Sequence, residues 1–371
     1  MDGGLRTKIA YEEVAQMINE WYTMIKRREV EKCTLMRDEI LEAFELMEEN
    51  QNLLIYFNVL DSRYNILMEE YKSSEDILNN IQNSPEMNGT DDMLQFYFLF
   101  FSGQIEFSKK NYINAINYYK LAEDRLLKIP DDIEKAEFHY HLAISYYHID
   151  QHFFSMDHAE KALATFREHD DYSHRTINSE MILGANKLDL FRFDEAKRHY
   201  EHALEIAKTT KDHYTEGLAY RNLGIAYMRR NLFSLAEDCF RKALQIKEYE
   251  PTLYGLRTMY NLTHVLYKTG NTEAAREWCE KGLVRVEEAG EEEYLAKFNL
   301  VYSLYDQCDI EEIRDALEFL ESSDLWHDVA ELTLEVGCHF KKTGDTDNAS
   351  YYFLKSIEAR DQILRMTGEL K

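Results

Sequence analysis

The chain has 371 residues, of which 45% are hydrophobic, and it contains only three prolines and 14 glycines. This composition supplies an ample core with few helix breakers, so an all-α fold is expected. The 69 acidic residues against 43 Lys and Arg give a net charge of −26, which repels a phosphate backbone and argues against nucleic acid as a direct partner.

The cysteines and apolar runs indicate a cytoplasmic protein without a membrane segment. The five cysteines are odd in number, widely spread and never arranged as Cys-x-x-Cys, which predicts buried thiols in a reducing compartment. The longest dense apolar run, residues 93–101, is far too short to span a bilayer, and no charged-then-apolar leader is present.

Three amphipathic stretches begin the chain. Apolar residues recur at helical spacing over residues 8–26, 30–47 and about 50–71. The third stretch has a wide apolar face, which suits a bundle member with surface left over for a further contact. We therefore predict a three-helix bundle over residues 1–72.

A polar segment follows at residues 73–92. Serine, asparagine, proline and glycine surround a short helical patch at Ile77, Leu78 and Ile81. This pattern predicts a helical linker with a hinge at residues 85–90, where conformational coupling between two domains would be carried.

From residue 93 one helical-hairpin pattern recurs about every 40 residues, and its small-residue spacing is that of tetratricopeptide repeats. The pattern places small residues where two antiparallel helices must touch. On the first helices these positions are Gly103, Ala143, Gly184, Gly224, Thr263, Val301 and Gly337. On the second helices they are Ala115, Ser155, Ala196, Ala236, Ala275, Ile313 and Ala349.

Such hairpins must stack, because one hairpin cannot bury its apolar faces alone. We predict a right-handed tetratricopeptide-repeat superhelix of about seven hairpins over residues 93–371, with a concave groove. The sixth copy is the weakest, since Val301 and Ile313 are bulky where small residues are expected.

Polar residues at groove-facing positions suggest a peptide ligand. Asn222, Asn261 and Asn299 stand two residues before the reference position in three consecutive repeats. Amides at one level can donate to and accept from an extended peptide backbone, and Tyr260 and Tyr305 would add contact area. The alternative is that each asparagine satisfies a neighbouring helix, but three in register favour a peptide.

No self-contained active site is visible. His148 and His152 are four residues apart, but no His-Glu-x-x-His pattern, glycine-rich phosphate loop or Gly-x-Ser-x-Gly elbow occurs. We therefore expect no metal site and no cofactor held by this chain itself.

Several short stretches together resemble the Rap proteins of spore-forming Gram-positive bacteria. They are residues 19–22, 47–57, 63–65, 96–103, 133–138 and 155–156. The resemblance covers nearly the whole chain. It implies a response-regulator aspartate phosphatase or sequesterer in sporulation or competence control, switched off by a short Phr peptide bound in the repeat groove.

The resemblance also implies roles for individual residues in the bundle. Gln51 would reach the acidic pocket of a phosphorylated response regulator, with Glu49 and Asn50 as neighbouring contacts. The regulator would supply Mg²⁺, and the Gln51 amide would orient a water for in-line attack. Without the resemblance, Gln51 beside Asn50 and Asn52 is a polar turn that begins the third helix.

For the peptide, the resemblance implies that Asp189 pairs with a basic residue and Asn222 holds the backbone. Asn261, Asn299, Tyr260 and Tyr305 extend this site by geometry. The leading prediction is thus a cytoplasmic quorum-sensing phosphatase inhibited by peptide.

Two other readings stay open at this stage. One is a non-enzymatic, peptide-controlled adaptor that sequesters a transcription regulator, and the other is a generic repeat scaffold. The sequence also leaves the oligomeric state open, with a homo-oligomer as one option.

Overall fold

A computed structural model describes residues 9–48, 50–82 and 92–368. These residues form α-helices with short connections, and the only strand-like pairing among them is an isolated bridge between Ile9 and Met47. The all-α prediction is confirmed. The chain divides into two compact units, Met1–Ile182 and Leu183–Lys371, and the predicted boundaries at residues 72 and 92 both fall inside the first unit.

The first three helices form the predicted bundle. They are α1 (Tyr11–Arg27), α2 (Val30–Leu46) and α3 (Gln51–Leu67). Trp21 is at the centre of the bundle: its ring stacks on Phe57 with centroids 5.4 Å apart, and its indole N–H donates to the Cys33 carbonyl at 2.9 Å. The buried indole therefore satisfies its one donor while it joins all three helices.

The linker is helical over most of its described length. Helix α4 (Tyr71–Gln82) packs on α3, and the Ser74 hydroxyl donates to the Ser62 carbonyl at 2.8 Å. The hinge predicted at residues 85–90 lies outside the described residues.

The bundle packs on the first repeats within the first unit. Tyr22 of α1 meets the edge of Tyr97 with ring centroids 5.4 Å apart, and its hydroxyl donates to Glu134 at 2.7 Å. Helix α3 packs against the helix that carries Tyr97. The wide apolar face of α3 is thus covered by the repeats as well as by its own bundle.

Seven helical hairpins follow, as predicted. In chain order they are α5 (Asp92–Ser108) with α6 (Tyr112–Leu126), α7 (Asp132–Tyr147) with α8 (His152–Phe166), α9 (Ser173–Asp189) with α10 (Phe193–Thr210), α11 (His213–Arg229) with α12 (Phe233–Leu244), α13 (Leu253–Lys268) with α14 (Thr272–Ala289), α15 (Glu292–Tyr302) with α16 (Ile310–Ser322), and α17 (Trp326–Thr343) with α18 (Thr346–Gly368).

Glycine at the helix crossing is matched by an aromatic ring on the partner helix. A Cβ added to Gly184 would lie 2.5 Å from a ring carbon of Tyr200, and one added to Gly224 would overlap the ring of Phe240. Where the first residue is the larger Val301, the residue sixteen positions later is the smaller Leu317. In these hairpins a smaller residue at the first position is accompanied by a larger one at the second, so the two side chains share the space at the crossing.

The sixth hairpin is irregular where the sequence pattern weakens. Helix α15 ends at Tyr302 and continues as a π-helical segment, Ser303–Gln307, followed by Cys308 with a positive φ of 57°. The prediction of buried cysteines is wrong for Cys308 and Cys338, which are exposed, although all five cysteines are free thiols.

Candidate functional site

Gln51 is the first residue of α3, and its side chain is exposed. The helix is capped by the preceding residue, since the Asn50 side-chain oxygen accepts from the Leu53 N–H at 3.1 Å. The Gln51 amide makes no hydrogen bond with any residue that the structure describes. The cap thus belongs to Asn50, and none of the described residues uses the Gln51 amide. Glu49 lies outside the described residues.

A shallow groove of about 380 Å³ lies beside Gln51, between α3 and α4. Its apolar part is formed by Leu54, Ile55, Ile77 and Ile81. An exposed amide at the edge of an apolar groove suits contact with another protein. The groove would bury apolar side chains of the partner, and the amide would form hydrogen bonds with it.

In the second unit, the Asp189 carboxylate already pairs with a positively charged side chain of the same protein. Arg229, which stands forty residues later at the equivalent repeat position, places Nη1 2.5 Å from Asp189 Oδ1. The same guanidinium lies 3.6 Å from Glu331 of α17. The carboxylate predicted to bind a basic peptide residue is therefore present on the surface, in an ion pair with Arg229.

A second carboxylate, Glu335 of α17, is contacted by three donor side chains from other helical segments. His264 Nε2 lies 2.5 Å and Lys268 Nζ 3.2 Å from its oxygens, and the Tyr305 hydroxyl also donates to it. Burial alone would raise the pKa of Glu335, but these neighbours outweigh it and lower that pKa to about 2. Glu335 stays ionised and joins α13, the π-helical segment and α17.

Tyr305 lines a pocket of about 430 Å³ together with Lys268 and Glu335. Its ring is available at this surface, while its hydroxyl is engaged by Glu335. Sequence reasoning missed Glu331 and Glu335, because their partners lie far back in the chain and no local pattern marks them.

The three asparagines do not share one environment. Asn222 is half-buried, Asn261 is 7% exposed with an Nδ2 that has no partner, and Asn299 lines a separate pocket of about 620 Å³ beside α16. Tyr260 is 8% exposed and packs edge-on against Phe298, so it lies in the core. The peptide-binding roles of all four stay predictions.

In the described part of the chain, no group of three or more His, Cys, Asp or Glu residues could hold a metal ion. None of the described helices combines the length and apolar character needed to cross a bilayer.

An N-terminal three-helix bundle followed by seven helical hairpins in residues 92–368 defines a class of proteins: tetratricopeptide-repeat proteins with an additional N-terminal helical bundle. Family models agree with this class. A model described as the N-terminal part of response regulator aspartate phosphatase H matches residues 8–69, and tetratricopeptide-repeat models match residues 175–248 and 256–289.

The chain belongs to the Rap family. It is 32% identical to response regulator aspartate phosphatase I of Bacillus subtilis (strain 168), over 98% of this chain and 94% of the relative. It is also similar to a solved Rap protein complexed with competence and sporulation factor, with 32% identity, a TM-score of 0.84, and coverage of 95% of this chain and 99% of the other.

A further similar structure is the Rap conjugation gene regulator of plasmid pLS20 in complex with the Phr* peptide. The identity is 31% and the TM-score 0.71, with 98% of this chain and 99% of the other covered. The resemblance stated from the sequence motifs is confirmed.

Proposed function

We propose that this chain binds a phosphorylated response regulator through its N-terminal bundle and speeds hydrolysis of the aspartyl phosphate. The observation that carries the proposal is the Gln51 amide, which is exposed at the start of α3 and makes no hydrogen bond with the described part of the chain. The relative named response regulator aspartate phosphatase I supports the same activity for this chain.

One amide is sufficient for the chemistry. An aspartyl phosphate is an activated acyl phosphate, so its hydrolysis needs an oriented water rather than a strong nucleophile. The Gln51 side chain can accept a hydrogen bond from that water through Oε1 and donate to a phosphoryl oxygen through Nε2. In this proposal the regulator carries the Mg²⁺ that neutralises the phosphoryl oxygens, so the active site is complete only in the complex.

A short peptide bound to the repeats would turn the activity off. The two similar structures, one complexed with competence and sporulation factor and one with the Phr* peptide, support such a ligand here. Asp189 would bind a basic residue of the peptide and Asn222 its backbone. We place the protein in the cytoplasm, which agrees with its five free thiols.

The test is dephosphorylation of purified, phosphorylated response regulators by the full chain. Gln51→Ala is expected to lower the rate about a hundredfold, the range for loss of a positioned catalytic group, while regulator binding measured by calorimetry is retained. Gln16→Ala, which removes another exposed bundle glutamine whose side chain donates to Glu20, is the matched control.

Wild-type dephosphorylation by Gln51→Ala would show that the activity does not depend on the Gln51 amide. Regulator binding without any dephosphorylation by the wild-type chain would instead favour the sequestering adaptor.

A further inference from the structure

Two arginines of the second unit have buried donors without partners. Arg221 of α11 and Arg257 of α13 each have an Nε atom that is buried and makes no hydrogen bond, and neither forms an ion pair within the described residues. This is unexpected in a chain with 69 acidic residues against 43 basic ones. Nearby Lys297, by contrast, lies 2.7 Å from the carboxylates of both Glu293 and Asp328.

Tyrosine rings hold the two guanidinium groups in place. The Arg257 guanidinium carbon lies 5.1 Å from the ring centroid of Tyr254 and 5.4 Å from that of Tyr294, and the Arg221 carbon lies 5.9 Å from Tyr254. Both cations therefore lie within 6 Å of one ring, which is itself 38% exposed. Stacking on a ring satisfies the guanidinium face but leaves its N–H edge unused.

A third unpaired donor lies one helical turn beyond Arg257. Asn261 follows it by four residues, so the two side chains project from the same face of α13. Asn261 is 7% exposed, and its Nδ2 has no hydrogen-bond partner. All three unsatisfied atoms are nitrogen donors, and a buried donor without an acceptor destabilises the empty site. An anionic acceptor is the kind of group that such donors lack.

We propose that Arg221, Arg257 and Asn261 bind a carboxylate of the inhibiting peptide. A carboxylate is planar and anionic, and it matches the fork of a guanidinium group better than any neutral acceptor does. The inference rests on the proposed peptide-receptor function and deepens it: Asp189 selects a positive group and the two arginines select a negative one. The carboxylate is either the C-terminus of the peptide or an acidic side chain.

The first test uses the wild-type full chain and a randomised mixture of synthetic pentapeptides made in two forms, with a free C-terminal carboxylate and with a C-terminal amide. The tightest binder is then resynthesised with each Asp or Glu replaced by Asn or Gln. We expect neutralising one carboxylate to weaken binding about tenfold or more, as for loss of a charge-assisted hydrogen bond. The amide arm identifies a C-terminal carboxylate, and the side-chain arm identifies an acidic residue.

The second test determines whether the two arginines cause the preference for peptides that carry a carboxylate. Arg221→Gln and Arg257→Gln are expected to bind the carboxylate and neutral forms with nearly equal affinity, because the preference itself is lost. Arg241→Gln removes an arginine of α12 that pairs with Glu237 at 2.8 Å, and it should keep the wild-type preference. Thermal melts of all three variants report whether they fold.

The outcomes separate the inference from the function on which it rests. If wild-type protein binds all charged and neutral forms equally, or both variants keep the preference, the carboxylate site is overturned while the peptide receptor stands. If no peptide form binds at all, the peptide-receptor function fails and the inference fails with it.

Discussion

At the residue scale, Gln51 and Asp189 are in opposite states. The Gln51 amide is unbonded within the described chain, so docking a regulator costs it no internal hydrogen bond. Asp189 is in an ion pair with Arg229. In the proposed peptide site, a basic peptide residue would therefore have to displace the Arg229 side chain. If the proposed site is correct, Arg229 competes with the peptide for Asp189.

Removing that competitor should strengthen peptide binding. Arg229→Gln leaves Asp189 without its ion pair, and we expect peptides that carry a basic residue to bind up to about fivefold more tightly, since a partly exposed ion pair contributes up to about 1 kcal/mol. Fluorescence anisotropy with a labelled peptide measures the change. Arg230→Gln, which breaks the neighbouring 3.2 Å pair with Asp194, is the control. Weaker binding by Arg229→Gln would mean that Arg229 itself contacts the peptide.

At the element scale, the fold depends on how much volume the helix crossings allow. Gly224 contacts the ring of Phe240, and Phe240 is fully buried, so the ring cannot move aside. The same glycine-to-ring contact occurs between Gly337 and Phe353 in the last hairpin. Close approach of the two helices is thus a property of the pair of positions rather than of glycine alone.

Gly224→Ala should destabilise the chain by about 1–3 kcal/mol, because an added methyl group overpacks the crossing. Urea denaturation followed by circular dichroism measures the loss. The double variant Gly224→Ala with Phe240→Leu should regain part of it, since leucine returns the needed volume. A double variant less stable than either single one would contradict the shared-volume explanation.

The contact between α1 and α7 contains a carboxyl group that burial makes pH-sensitive. Glu134 is fully buried, and only one of its oxygens has a partner, the Tyr22 hydroxyl. Lys26 pairs with Asp131 and lies 3.9 Å from Glu134. Burial therefore outweighs the lysine and raises the pKa of Glu134 from 4.5 to about 7.

This shift predicts a loss of stability as the pH rises. Protonated Glu134 stabilises the fold fully below pH 4.5, and that contribution is lost as the pH approaches 7. Glu134→Gln, which cannot ionise, should remove about 2 kcal/mol of the decline between pH 5.5 and 8. Urea unfolding at both pH values measures it, with exposed Glu20→Gln as control. If the free energy of unfolding falls by the same amount between pH 5.5 and 8 in wild type and in Glu134→Gln, the effect is excluded.

At the scale of the whole molecule, the net charge of −26 acts on any charged ligand. A peptide of net positive charge is attracted to such a protein from a distance, and dissolved salt screens that attraction. The effect concerns the rate of encounter more than the contacts made after binding.

The association rate of a cationic peptide should therefore fall about tenfold as salt rises from about 0.05 to about 0.5 M, with little change in dissociation. Stopped-flow fluorescence separates the two rates. The same peptide with its basic residue replaced by norleucine should show a much smaller dependence on salt. If the association rates of both peptides depend equally on the salt concentration, long-range charge does not guide the encounter.

The sequence by itself determined the helices, the number of hairpins and the bundle. Helical periodicity and helix-crossing residues such as Gly224 are local patterns that repeat, so they can be read without knowing which helices meet. The motif around Gln51 was also readable, because its residues are contiguous and resemble a known family.

Only the tertiary structure decided which side chains find partners. Arg229 meets Asp189 across 40 residues and Glu335 meets His264 across 71, and no local pattern predicts either pair. Whether Tyr260 faces a ligand or the core, and whether Asn261 is satisfied, depends on the neighbouring repeat that covers it. Periodicity places a residue on a face of its own helix, but burial and charge pairing depend on the helix opposite.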